Sequence, residues 1–418
     1  MTPGARLQAA IEILEALEHT AQPVDRFLRG WFRERRYAGS KDRAAVGERV
    51  FATFRHRAAF TWRMGSNAPR ALVLASALDD GATVAEIMHV CDGEGYAPAP
   101  LTEEEFASLA MPARTPQPLW VRGEFPALLE DELHRRFGDR MLDQLSSMRG
   151  RAPVDLRVNT LKATREEVLA SLRAGGLEGK PMAHAPHGIR LWDRAGAQGL
   201  SRTPTFLEGR FEFQDEAAQI ASLLGAAKPG ECVLDLGAGA GGKALALAAA
   251  MRNEGRIIAY DTDEKRLAQL RPRAERAGVQ IIEDRSGELP RERFDAVFID
   301  APCSGSGTWR RQPELKWRLT HSRLDDLRAL QAQLLATAAT LAPARLIYAT
   351  CSLLPSENDD QVDAFLTRHP NYARTDAQTV WQAETGLAPP PGMAREFHAT
   401  PFTTGTDGFY TAILERRD

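Results

Sequence analysis

A chain of 418 residues is too long for one ordinary hydrophobic core, so two or three domains are expected. An apolar content of 43% and a charged content of 26% are those of a soluble globular protein. The net charge of -3 excludes a global basic signature for nucleic acid, although the distribution of charge matters more than the average.

Residues Met1 to about Ala110 read as helices, with Ile11, Leu14 and Leu17, and then Val50, Phe51 and Phe54, at helical spacing. Between Gln22 and Arg70 stand twelve Lys and Arg against four acids, whereas Ala71 to Ala110 holds eight acids and no Lys or Arg. Such a local basic segment suits a phosphate-rich partner, and a solvated helix face balanced by its acidic neighbour is the other reading. Glu12 and Glu15 interrupt the N-terminal apolar pattern, so no secretory signal or membrane span is expected. Pro112 to Pro118 carries three prolines and reads as a linker. Beyond it come the helical stretch Phe125 to Met148, short strands at Val154–Val158 and Gly188 to Trp192, and a helix over Arg165–Ala174. These make a small α/β piece.

From Phe211 the rhythm becomes strand, glycine loop, helix. Strands are predicted at Cys232–Leu236, Arg256–Tyr260, Gln280 to Glu283, Ala296–Asp300 and Arg345 to Ala349. Helices are predicted at Gly242 to Met251, Glu264 to Ala277 and Ser322 to Leu341, with late strands near Glu396 to Ala399 and Phe409 to Leu414. The alternation predicts a Rossmann-like α/β domain with a doubly wound, mostly parallel sheet. The expected domains are 1–112, helical; 113–206, small α/β; and 207–418, the sheet domain.

Three strand-to-loop junctions carry the chemistry. The stretch VLDLGAGAGGKALALAA (Val233 to Ala249) is strand, glycine turn, helix. Glycines let the backbone approach a ligand there, a device shared by dinucleotide, nucleotide and S-adenosylmethionine sites. Asp261, after the next strand, is placed to bind two ribose hydroxyls, and Asp284, ending the third, to reach an adenine amino group; helix capping is the alternative for both. The candidate cofactor-binding set is Asp235, Gly237, Ala238, Gly239, Ala240, Gly241, Gly242, Lys243, Asp261, Arg266, Asp284 and Asp300. The second junction, FDAVFIDAPCSGSGTWRRQPELKW (Phe294 to Trp317), puts Asp300 and Cys303 past a buried strand, with Arg310, Arg311, Lys316, Trp317 and Arg318 following. The third, LIYATCSLLPSEND (Leu346 to Asp359), puts Cys351 at its tip. Both thiols belong to one sheet edge and suggest covalent chemistry, with Lys243 as the cation that favours a thiolate. The four cysteines form no CxxC pair and have no His at ligand spacing, so no structural zinc is expected and a reducing cytoplasm is the natural setting.

DAPCSGSGTWRRQPELKW and YATCSLLPSEN resemble the paired signatures of the Sun/Fmu (RsmB-type) RNA cytosine-5 methyltransferases. The likeness extends over LRVNTLK (Leu156 to Lys162), FEFQDEAAQIASLL (Phe211 to Leu224) and TDGFYTAIL (Thr406 to Leu414). More weakly, DRAAVGERVFATFRHR (Asp42 to Arg57) is similar to the NusB-like RNA-binding domain of bacterial members. One departure is the cofactor loop, where Gly237, Gly239, Ala240 and Ala244 replace the family's Cys, Ala, Pro and Thr. The resemblance implies S-adenosylmethionine as cofactor and RNA as partner, ribosomal RNA being the expected target and tRNA the alternative, with no membrane, metal or identified protein partner. It implies that Cys351 attacks carbon 6 of cytosine, that Cys303 assists breakdown of the adduct, and that Asp300 binds the cytosine edge beside Lys243. From the residues alone the two thiols are not ranked. A nicotinamide enzyme would share the glycine loop without needing two cysteines. A non-catalytic RNA-binding assembly factor and a DNA methyltransferase are the remaining rivals.

Overall fold

In a computed structural model, which describes residues 1–112, 115–193, 197 and 199–417, the chain forms two compact units. The first comprises Met1–Arg149 and Trp309–Leu319, the second Gly150–Thr308 and Thr320–Asp418. The division therefore falls after Arg149 and not at the proline-rich segment, of which Ala113 and Arg114 lie outside the described residues. The reason is packing beyond the prolines. The buried Glu124 carboxylate accepts hydrogen bonds from the amides of Ala58 and Ala59 at 2.9 and 3.0 Å, satisfying the open N-terminus of helix Arg57–Met64.

The first unit is helical, with Leu7, Ile11, Leu14, Val46, Val50 and Leu74 among its core residues. Thr2, Thr83 and Thr102 cap helix starts, the last two with Glu86 and Glu105 completing capping boxes. The basic segment splits into two sets. Arg49 pairs with Asp80, Arg55 with Glu48 and Arg70 with Glu105. Arg26, Arg29 and Arg33 are exposed at i, i+3 and i+7 of helix Val24–Glu34, hence on one face.

The segment Trp309–Leu319, which carries the cations that follow the Cys303 loop in sequence, belongs to this unit. Lys316 is buried and donates to the carbonyls of Glu124 at 2.8 Å and Arg55 at 3.3 Å. Burial pushes its pKa down to about 8. Trp317 Nε1 donates to the Phe54 carbonyl at 2.7 Å, Arg318 to those of Ala21 and Gln22, and the Glu314 carboxylate accepts from the Val24 amide. These side chains anchor the segment.

The second unit holds two sheets. The smaller is antiparallel, in the order β2-β3-β1-β4, from β1 (Val154–Val158), β2 (Gly179–Pro181), β3 (Gly188–Leu191) and β4 (Phe211–Phe213), with helix Arg165–Ala174 packed on it. The larger contains β5 (Cys232–Leu236), β6 (Arg256–Tyr260), β7 (Ile282–Arg285), β8 (Ala296–Asp300), β9 (Arg345–Thr350), β10 (Tyr372–Thr375), β11 (Phe397–Ala399) and β12 (Phe409–Arg416). Its order is β10-β12-β9-β8-β5-β6-β7, with β11 paired to β12. Strands β5 to β9 are mutually parallel, and β12 runs antiparallel to β9 and β10. Alternate residues of the apolar strands feed two cores, Val233, Phe298 and Ile347 on one face and Leu234, Val297 and Tyr348 on the other. That two-sided burial is why these strands read as continuous apolar runs. The chain leaves β5 toward β6 and β7 on one side, then returns to β8 and β9 on the other. The carboxyl ends of β5 and β8 flank this reversal, where open α/β sheets bind ligands. No helix among the described residues is long and apolar enough to cross a membrane.

One close backbone approach fixes the rim of this edge. Gly307 donates to the Cys351 carbonyl at 2.9 Å and accepts from the Gly408 amide at 2.8 Å. A Cβ on Gly307 would lie 2.1 Å from the Gly408 carbonyl oxygen, so Gly307→Ala forces backbone apart. The expected loss is roughly 1–3 kcal/mol, read from the urea midpoint against the unaltered protein.

Candidate active site

The glycine loop after β5 passes directly against the end of β8. Gly237 has φ 88°, and a Cβ there would stand 2.8 Å from the Asp300 carbonyl oxygen. Only glycine gives both the left-handed turn and the close approach. Helix Gly242–Ala250 follows and sets Lys243 in its first turn, where Nζ donates to Asp300 Oδ2 at 2.6 Å. This ion pair joins the two strand ends that flank the reversal. The Lys243 side chain is only 12% exposed, the Asp300 side chain 34%. Burial alone would lower the lysine pKa; Asp300, Asp235 and Cys351 instead hold it above the usual lysine value. Asp235, one residue before the end of β5, is fully buried. Neither of its oxygens receives a hydrogen bond of normal geometry. Burial, with the Asp300 charge next, pushes its pKa up to about 7, and the Lys243 charge, followed by the Ala244 amide, offsets this only in part.

Cys303 and Cys351 come together, Sγ to Sγ 3.3 Å, both partly buried and both free thiols. The Cys303 pKa stands well above the usual thiol value. Its hydrogen bond with the Cys351 sulfur is the first cause, burial the second, and the charges of Cys351 and Glu357 add to them. These surroundings favour the protonated Cys303 thiol.

The other predicted residues are placed differently. The Asp261 carboxylate accepts from the amides of Gly239 at 2.7 Å and Asp263 at 2.8 Å, tying the glycine loop to the end of β6. Each oxygen keeps a lone pair for a hydroxyl donor. The guanidinium of the exposed Arg266 lies over Gly239, where a Cβ would stand 2.6 Å from Nη2. Asp284 does not follow a strand, because pairing of Tyr260 with Arg285 extends β7 past it. It is exposed and bonds Arg271 at 3.1 Å.

Residues outside the predicted set hold the loop from behind. Arg273 donates to the Ala240 carbonyl at 2.5 Å and pairs with the buried Glu212, which also binds Arg276. Arg157, on β1, donates to the Gly242 carbonyl at 2.8 Å and to Gln214, and burial pushes its pKa down to about 10. Arg157, Glu212 and Gln214 stand in the stretches LRVNTLK and FEFQ, which reveal no role for them, and Arg273 and Arg276 lie outside both. The SEN of the third junction likewise hid Glu357, a fully buried carboxylate bonded to Ser304 and Ser352.

Asp359, Glu396 and His398 lie within 4.8 Å of one another in ligand atoms. Glu396 is ion-paired with Arg374 at 2.6 Å, a cation that already balances the group.

The profile described as 16S rRNA methyltransferase RsmB/F matches residues 222–415, and that of the ferredoxin-like domain of RsmF/B-like methyltransferases matches 125–196. "Probable ribosomal RNA small subunit methyltransferase B" of Synechocystis sp. is 35% identical over 59% of this chain and 57% of that protein. Ribosomal RNA small subunit methyltransferase B of Salmonella arizonae is 33% identical over 70% of this chain and 66% of that protein, so the chain spans less than two thirds of either. The crystal structure of a methyltransferase homolog protein from Pyrococcus horikoshii superposes with a TM-score of 0.60 at 27% identity, over 71% of this chain and 97% of that one. With a Rossmann-like methyltransferase sheet and these two matches, the chain is similar to the RsmB/F methyltransferase family over residues 125–196 and 222–415.

Proposed function

We propose that the protein transfers a methyl group from S-adenosylmethionine to carbon 5 of a cytosine in RNA, through a covalent adduct on Cys351. The observation that carries this reading is the pair of thiols 3.3 Å apart at the same sheet edge as the Lys243–Asp300 pair. Ribosomal RNA is the substrate named for the curated relatives and is the proposed target here.

S-adenosylmethionine is the cofactor, and the residues suit it. The left-handed glycines strip side chains from one loop, Asp261 offers lone pairs to ribose hydroxyls, and Asp235 leaves buried oxygens without full partners beneath. Residues 237–243, Asp261, Arg266 and Asp300 are the proposed holders; Asp284, tied to Arg271, is a candidate for the adenine edge. When bound, the cofactor supplies an electrophilic methyl group.

Cytosine carbon 5 is too weak a nucleophile by itself. The Cys351 thiolate adds to carbon 6, an S–C bond forms, and the ring becomes an enamine with electron density at carbon 5. Asp300, held by Lys243, hydrogen-bonds the base edge and keeps the proton on the ring nitrogen. Once carbon 5 carries the methyl group, its proton passes to solvent water, the C–H electron pair re-forms the C5–C6 double bond, the S–C6 bond breaks, and Cys351 departs as thiolate. The Cys303 thiol, 3.3 Å away, donates a hydrogen bond to that sulfur as it leaves. The target base has to be unpaired or flipped out to reach the edge.

Three outcomes are expected. Asp261→Ala weakens S-adenosylmethionine binding by roughly 1–3 kcal/mol in calorimetry, through loss of charge-assisted hydrogen bonds, and an unchanged affinity rejects the assignment. Reversing Arg26, Arg29 and Arg33 to Glu lowers RNA affinity and flattens its salt dependence by about 0.9 for each phosphate no longer neutralised, while cofactor affinity stays. The same salt slope in that variant means the face is only solvated. Cys351→Ala abolishes methylation and traps no RNA, whereas Cys303→Ala methylates and then stalls as an adduct that survives a denaturing gel. A stable adduct with Cys351→Ala and none with Cys303→Ala reverses the assignment of roles.

A further inference from the structure

Glu357 is a buried carboxylate that no step of this chemistry uses. It closes the short turn Pro355–Glu357 after the Cys351 loop and is 0% exposed. Its Oε1 accepts from the Ser304 amide at 2.8 Å and from Gln331 Nε2 at 3.0 Å. Its Oε2 accepts from two hydroxyls, Ser304 Oγ and Ser352 Oγ, each at 2.5 Å. Ser304 directly follows Cys303, and Ser352 directly follows Cys351. We propose that Glu357 is a positioning residue that sets the spacing of the two thiols by gripping both cysteine loops at once through Ser304 and Ser352. Its importance for turnover rests on the covalent reading above; its effect on thiol spacing does not.

The donor set calls for a carboxylate. Four donors converge on two oxygens, and an ionised carboxylate is acceptor-only, with about four lone-pair sites. A glutamine amide would turn a donor toward donors at one of those positions. Charged acceptors also make shorter, stronger hydrogen bonds, and a buried charge persists only when so satisfied. The carboxylate is itself held on the sheet. The Glu357 carbonyl accepts from Tyr348 Oη on β9 at 2.7 Å. Asn358, next in the chain, accepts from Thr350 at the end of β9 and donates to the Ser352 carbonyl. Gln331, from helix His321–Thr340, also donates to the Pro302 carbonyl at 2.9 Å, so the Cys303 loop is held from a second side. Cys351 is fixed to β9 by sequence; the Cys303 loop is tied to it by the Gly307 amide on the Cys351 carbonyl and by Ser306 with Ser352 and the Leu353 amide, and Glu357 adds the grip at the residues that directly follow the two thiols. The Glu357 charge also favours the protonated form of Cys303.

The test compares the full-length protein with Glu357→Gln, and reads thiol geometry without requiring turnover. Phenylarsine oxide, which bridges two closely spaced thiols, should be captured at least about tenfold more weakly by the variant. Alkylation of Cys303 by iodoacetamide, followed against pH by peptide mass, should move its midpoint to lower pH. At a fixed pH below both midpoints, a midpoint lower by about 1 pH unit gives about tenfold more reaction. Turnover should fall with KM for S-adenosylmethionine unchanged. A purely structural role would lower the melting temperature without moving the Cys303 midpoint. If Glu357→Gln fails to fold, the Ser304→Ala and Ser352→Ala double variant takes its place and should lose arsenical capture likewise. Unchanged arsenical capture and an unchanged Cys303 midpoint overturn the proposal. Methylation that persists in Cys351→Ala overturns the covalent reading alone, because the thiol measurements still report on Glu357.

Discussion

The site depends on the reversal of chain direction between β5 and β8 and on the ion pair that crosses it. Parallel strands present their carboxyl ends to one edge, and at a reversal the two loops diverge, leaving a crevice between helices. Here the divergence is small where it matters, because Gly237 lies against the Asp300 carbonyl. Lys243 then reaches Asp300 in a partly buried setting. An ion pair removed from water must be well formed to be stable, and this one is a single short hydrogen bond with Asp235 and Cys351 adding to the field at the ammonium. The cation that favours a thiolate is thereby fixed by the same interaction that aligns the two loops.

A second layer of constraint sits behind this edge. Arg273 holds the Ala240 carbonyl, and Arg157 holds the Gly242 carbonyl from the smaller sheet. The family pattern has a proline where Ala240 stands, and a proline would stiffen the loop through its own ring. In this chain stiffness comes from outside, through guanidinium groups that are anchored on Glu212 and Gln214. The smaller sheet is therefore part of how the cofactor loop keeps its shape.

The apolar strands and the loops that end them were legible in the sequence because each is a local signal. Continuous runs such as Ala296–Asp300 and glycine clusters such as 237–242 state their structure within a few residues. Two sets of contacts were not legible there, for a shared reason. Arg310 to Arg318 follows a thiol loop in sequence, yet Lys316, Trp317 and Arg318 spend their hydrogen bonds on carbonyls of the helical unit. The prolines at 112–118 mark a turn-rich stretch, yet Glu124 beyond them caps a helix before them. In both cases the partner lies tens to hundreds of residues away, and no spacing rule reaches that far.

By itself the sequence determined the alternation of strand and helix, the three strand-end loops, and the thiols, carboxylates and lysine that those loops carry. Periodicity and turn chemistry are properties of neighbouring residues, so they survive without a fold. The tertiary structure decided which of those residues meet. It brought Cys303 within 3.3 Å of Cys351 across 48 positions of chain, and it set Glu357 against both serines. It also set the surroundings that raise the Cys303 pKa: the hydrogen bond with the Cys351 sulfur, burial, and the charge of Glu357 meet at that thiol only when the sheet edge is assembled.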